Sequence, residues 1–152
     1  MDFPPTPPAD LDPAVRELFE AALAVHGHSY APYSGFHVAA AIRTTTGRIF
    51  AGCNIENAAY PQSSCAEASA ICGMVTAGER EIAEMVVICD GDDLGTCCGG
   101  CRQRIREFAA LDVPLHMASV DGVRATFTVE ELLPHSFGPE HLLGPAGAGA
   151  VP

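Results

Sequence analysis

Ser64-Cys65-Ala66-Glu67-Ala68 and, 33 positions after its cysteine, Cys98-Gly99-Gly100-Cys101 decide the reading of the whole chain. Two thiols separated by two residues reach one ion, because the turn between them brings their sulfurs together. A third thiol from elsewhere completes a set of three soft ligands, Cys65, Cys98 and Cys101, which suits one zinc ion per chain. Three protein ligands leave a tetrahedral position open, the mark of a catalytic zinc. Glu67 is too close in sequence to Cys65 to be a relaxed fourth ligand, but it is well placed to handle protons on a zinc-bound water. Cys65 and Cys98 each follow a loop and open a predicted helix, where free N–H groups and the helix dipole stabilise a thiolate. Three thiolates donate more charge than three imidazoles and weaken the activation of water, so helix ends or a cation must offset them. The alternative is a closed structural site with Cys53, Cys72, Cys89 or Cys97 as fourth ligand. Cys53, Cys72 and Cys89 fall on predicted strands or a buried helix and read as core.

Outward from these two helices, over 65–76 and 98–110, the pattern gives the remaining elements. Asp12 is a predicted N-cap with Pro13 at the first helical position, and Leu11, Val15, Leu18, Phe19, Ala22 and Val25 recur at helical spacing. Strands are expected at 36–43 and 48–53, a hairpin closed by Thr45-Thr46-Gly47, then at 85–89, 113–118 and 125–129. The 85–89 run has no polar alternation, as in a sheet covered on both faces. A short helical turn follows at Glu130-Glu131-Leu132-Leu133. The order αββαβαββα predicts a three-layer α/β/α sandwich with a mixed sheet of about five strands. Residues 1–10 read as a disordered Pro-rich tail, 11–143 as one domain, and 144–152 as a second disordered tail.

Composition narrows the partners. Eight Lys and Arg stand against nineteen Asp and Glu, a formal charge of −11, which argues against nucleic acid and favours a small neutral substrate. No apolar run is long enough to span a membrane. Seven cysteines, an odd count, with no secretory leader pattern, predict metal-binding thiols in a reducing cytoplasm. None of the six histidines has ligand spacing to the thiols.

Cys-x-Glu followed by Cys-x-x-Cys resembles the motif of the zinc deaminases. Three further stretches match one family among them: Phe36-His37-Val38-Ala39-Ala40-Ala41, Asn54-Ile55-Glu56-Asn57-Ala58-Ala59-Tyr60, and Glu131-Leu132-Leu133-Pro134-His135-Ser136-Phe137. Together these resemble the small, homotetrameric, three-cysteine cytidine deaminases, over about residues 14–143. The resemblance implies hydrolysis of cytidine and deoxycytidine to the uridine nucleosides plus ammonia, in pyrimidine salvage. It implies Cys65, Cys98 and Cys101 as zinc ligands, Glu67 as proton shuttle, and Asn54 and Glu56 on the ribose. Phe36 and the Ala66 backbone would contact the base, and Phe137 would reach a neighbouring subunit's site. Blasticidin S deaminases share the zinc motifs, but Asn54-Ile55-Glu56-Asn57 favours a plain ribose. The chain departs from the family pattern three times: Ala68 stands for a frequent Arg, Cys97 for Pro, and Ala39 for Gly. Arg102 and Arg104 are the candidates to offset the thiolates, and Ala39 is expected to crowd the site.

Overall fold

The computed structural model describes residues 2–144; residues 145–152 of the expected C-terminal tail lie outside the described residues. Helix α1 (Pro13–His26) opens as expected, with the Asp12 side chain accepting the Ala14 N–H at 2.9 Å. The hairpin of β1 (Val38–Thr44) and β2 (Ile49–Cys53) leads through a long loop to α2 (Ala66–Thr76) and β3 (Ile82–Cys89). Helix α3 (Gly99–Phe108), the hairpin of β4 (Pro114–Ser119) and β5 (Gly122–Thr128), and the short α4 (Val129–Leu132) and α5 (Glu140–Leu143) complete the order. The strands form one sheet ordered β2-β1-β3-β4-β5, antiparallel except for β3 and β4. That parallel pair needs a crossover, and α3 supplies it.

Alternation along each strand sends side chains to two cores. Ala39, Ala41, Val86 and Ile88 meet Leu18, Phe19 and Ala22 of α1 on one face. Ala40, Ile42, Met85, Val87, Leu115 and Met117 meet Ala70, Met74, Cys101 and Ile105 of α2 and α3 on the other. The three-layer mixed-sheet architecture is therefore as read from the sequence. Ala39 faces α1, so it does not crowd the site; a one-residue offset in a strand changes the face.

Several local expectations are corrected. β3 starts at Ile82 rather than 85, since Glu84 is matched by Arg43 at 3.5 Å and by His116 at 3.1 Å. β5 starts at Gly122 rather than 125, because a two-residue turn at Val120-Asp121 already pairs Ser119 with Gly122. Arg106, whose charge suits a solvent-facing side of α3, is instead buried against Ser136 and Glu140. Cys72 lies on an exposed side of α2, so that helix is not buried on most sides. The N-terminal Pro-rich segment is not free either: Thr6 pairs with Val123 of β5, and Pro8–Asp10 form a turn of 3₁₀ helix.

Helix α2 sits unusually close to β2. A Cβ on Gly52 would lie 2.5 Å from the Ala70 amide nitrogen and 2.9 Å from the Ala66 carbonyl oxygen. These are backbone atoms and cannot swing aside, so only glycine permits the approach. Gly52→Ala should therefore lower the denaturation midpoint, by about 1–3 kcal/mol of overpacking. It should also weaken metal binding, because the helix it displaces begins at Cys65. An urea titration together with metal content checks both.

Candidate active site

The start of β1 pairs with the ends of its neighbours, Val38 opposite Cys89 and Ala39 opposite Cys53. At this edge of the sheet a cavity of about 410 Å³ opens, lined among others by Phe36, Asn54, Glu56, Cys65, Glu67 and Cys98. Its position at the C-terminal end of β3, beside a crossover helix, is where open α/β sheets bind ligands. That rule, applied to the sequence, also points to Val87 and Cys89, buried residues of β3 that line the wall.

Cys65 is the N-cap of α2 and Cys98 the N-cap of α3, both with extended backbone. Cys101 lies one turn into α3 and is fully buried. The three sulfurs all fall within 4.8 Å of one another, and Cys65 and Cys98 are 3.8 Å apart. Among the described residues no fourth ligand joins this group. Cys53, Cys72, Cys89 and Cys97 stand outside it, so a closed four-thiolate site does not form. What remains is a three-thiolate corner opening on a cavity.

Burial and mutual repulsion keep the thiols of this corner from ionising together without a cation. Burial pushes the Cys65 thiol up, and so do the charges of Cys98 and Glu67. Burial also raises Cys101, reinforced by Glu67 and Cys65. At Cys98 burial acts upward too, yet hydrogen bonds from the Cys101 amide and from the two neighbouring thiols outweigh it and bring the thiol below its ordinary value. Glu67, in the first turn of α2 and only 4% exposed, adds a carboxylate to the same corner. A soft divalent ion ionises all three sulfurs together and removes their mutual repulsion, so the donor set fits zinc.

The surrounding residues are held by backbone contacts. Asn54 accepts the Val38 N–H and donates to the Phe36 carbonyl, both at 2.9 Å, which fixes the entry to β1. Glu56 accepts the N–H groups of Tyr33 at 2.8 Å and Ser34 at 3.2 Å. Its carboxyl is held below the ordinary value, chiefly by a hydrogen bond from Ser34 and next by the Tyr33 amide. Both side chains line the cavity while holding its wall. Phe137 lies outside the cavity, 58% exposed and stacked on His141 with ring centroids 5.0 Å apart.

Of the two arginines considered against the thiolates, Arg104 reaches over Gly100, where a Cβ would lie 3.2 Å from its Nη1, and Arg102 braces the loop before Cys98. It donates to the carbonyls of Cys97 and Leu132 and to Thr96 Oγ1, each at 2.8 Å. Cys97 is 2% exposed, and burial and the Glu67 charge keep its thiol protonated.

The description "Cytidine and deoxycytidylate deaminase zinc-binding region" fits residues 14–117 of the chain. The chain is 37% identical to a cytidine deaminase of Sporosarcina psychrophila over 84% of its own length and 94% of that protein. It is similar in structure to the cytidine deaminase of Burkholderia pseudomallei, with a TM-score of 0.76 and 36% identity over 80% of this chain and 97% of the other. The cytidine deaminase of Mycobacterium leprae compares at a TM-score of 0.71 and 32% identity, covering 82% and 100%. Three converging thiols at two helix ends, the buried Glu67 and these likenesses agree: the chain belongs to the zinc-binding cytidine and deoxycytidylate deaminase family.

Proposed function

We propose that the chain hydrolyses cytidine and deoxycytidine to uridine and deoxyuridine plus ammonia. The observation that carries this reading is the buried Glu67 carboxylate lining the same cavity as the thiol corner. A structural metal site has no use for such a group. Zinc, when bound by Cys65, Cys98 and Cys101, supplies a water acidified to a pKa of about 7.

Glu67 takes the proton of the attacking water and delivers it to the pyrimidine ring nitrogen. As the C4–N bond breaks, it passes the second proton to the departing amine, which leaves as ammonia while C4 keeps the oxygen. Phe36 packs against the base, and the Ala66 backbone contacts it. Asn54 and Glu56 hold the ribose, since an amide and a carboxylate suit a sugar hydroxyl, and their polarity penalises a substrate that lacks one. Both already lock the cavity wall, so they meet the sugar at little further ordering cost.

The finer assignments belong to the same proposal. Phe137 exposes its ring as a residue reaching into a neighbouring subunit's site would, in a homotetramer. All seven cysteines are unpaired, which suits a reducing cytoplasm and a place in pyrimidine salvage. No helix among the described residues is long and apolar enough to cross a membrane.

The deciding experiment mixes zinc-loaded protein with cytidine and follows the loss of substrate absorbance, with Glu67→Gln alongside. The variant should keep its zinc and its fold and lose turnover by about 10²–10⁴-fold or more. Loss of zinc or of folding in the variant, or no turnover by the wild type, sinks the assignment.

The Glu56 anchor predicts a pH effect. Its carboxyl is depressed in the folded chain, so the stability it contributes is complete above the ordinary value of 4.5 and lost as pH falls through the lower folded value. The Tyr33 and Ser34 amide resonances should titrate together below pH 4.5, and Glu56→Gln should abolish that shift.

A further inference from the structure

The wall of the cavity that leads into Cys98 is the loop 90–97, which contributes Gly95 and Thr96 to the lining. Three side chains from outside or at its ends hold it. At its start the Asp90 carboxylate accepts the His37 N–H at 2.9 Å and lies 3.1 Å from His26 Nε2. At its end Arg102 holds Thr96 and Cys97, as described. Its middle is held by Arg124 of β5, whose Nη1 donates to the Asp92 carbonyl at 3.0 Å.

The same Nη1 donates to the Phe3 carbonyl at 3.2 Å. Among the described residues Arg124 Nε is buried without a partner, so this guanidinium is held in place through Nη1 at the cost of a stranded donor. Phe3 belongs to the N-terminal segment, which is fastened to β5 by a reciprocal pair of bonds. Thr6 N–H reaches the Val123 carbonyl at 2.7 Å, and Val123 N–H reaches the Thr6 carbonyl at 3.1 Å. Gly122, at φ +145°, permits the approach: a Cβ there would collide with the Thr6 carbonyl. The segment thus caps the open edge of the sheet and presents one carbonyl to an arginine shared with the active-site loop.

We propose that Arg124 is a positioning residue of the active site, and that the N-terminal strap, residues 2–7, is the fixed point against which it holds the loop. Without the strap, Arg124 keeps the Asp92 contact but loses its second carbonyl. The guanidinium is then free to shift, and the loop with it. Gly95 and Thr96 move relative to the rest of the cavity, which weakens substrate capture more than the proton transfers at Glu67. The proposal rests on the reading of this cavity as the nucleoside site. It assigns a functional task to a segment that lies outside the catalytic residues and more than 50 positions from them in sequence.

The test uses the full zinc-loaded chain, a form lacking residues 2–7, Arg124→Gln, Arg124→Lys, and the deletion combined with Arg124→Gln. The deletion and Arg124→Gln should each raise KM for cytidine about 3- to 10-fold while kcat stays within about twofold. Both should speed amide hydrogen exchange in 91–96. Lysine, which keeps a cationic donor, should recover part of the loss. Because the two changes break one clasp, the combined variant should be no worse than the larger single change. Unchanged KM and unchanged exchange in a variant that keeps zinc and a cooperative melt would overturn the proposal, as would effects that simply add. If Arg124→Gln does not fold, the deletion decides by the same two readouts. If the wild type does not deaminate cytidine, the functional reading falls, and exchange in 91–96 still tests the clasp.

Discussion

Four acidic groups are required to share one corner of the cavity, and the rest of the molecule is arranged around that requirement. Three thiols and the Glu67 carboxylate repel one another when ionised, and burial of Cys65 and Cys101 sharpens the penalty. Two helix N-termini ease it, because α2 and α3 both begin on a ligating cysteine. Placing two helix starts at one sheet edge fixes the topology. α2 must lie against β2, which Gly52 permits, and α3 must cross over between the parallel β3 and β4. The ion then completes a site whose geometry the backbone has already set. Most of the ordering cost falls in folding rather than in binding the ion.

With Ala at position 68, an arginine of α3 serves the loop before Cys98 rather than the thiols themselves. Arg102 does not reach the sulfurs. It binds the carbonyl of Cys97 and the hydroxyl of Thr96, and so braces the loop that delivers Cys98. Proline would have stiffened that loop by restricting its backbone; with Cys97 in its place, stiffness comes from hydrogen bonds instead. The buried Cys97 sulfur lies outside the group in which those of Cys65, Cys98 and Cys101 come within 4.8 Å of one another, so geometry keeps this neighbouring thiol from becoming a fourth ligand.

Local signals made the centre of this molecule legible in the sequence. Cys65 and Cys98 are N-caps, Cys101 follows at a fixed offset, and Asp12-Pro13 starts α1; each is decided by residues within one turn. The sheet followed from runs of Ala, Ile and Val whose faces period 2 assigns. What escaped is non-local. Arg106 reads as surface until Glu140, 34 positions on, is seen to cover it. Glu84 reads as the end of a strand until Arg43 and His116 pair with it from neighbouring strands. The Pro-rich segment looks unstructured because nothing inside it can order it; the edge of β5, more than 110 positions away, does so.

The same distinction applies to Asn54 and Glu56. In isolation each is a polar loop residue, and only resemblance gave them a task. Their side chains satisfy backbone N–H groups of Val38, Tyr33 and Ser34, groups that the irregular segments before β1 cannot satisfy internally. A polar group with no prior partner would have to be ordered and desolvated at the moment a ligand arrives. These two are ordered already, and the depressed carboxyl of Glu56 keeps it an anion able to accept from a hydroxyl. The hydrogen bonds that close the wall of the cavity therefore also order the two side chains that line it.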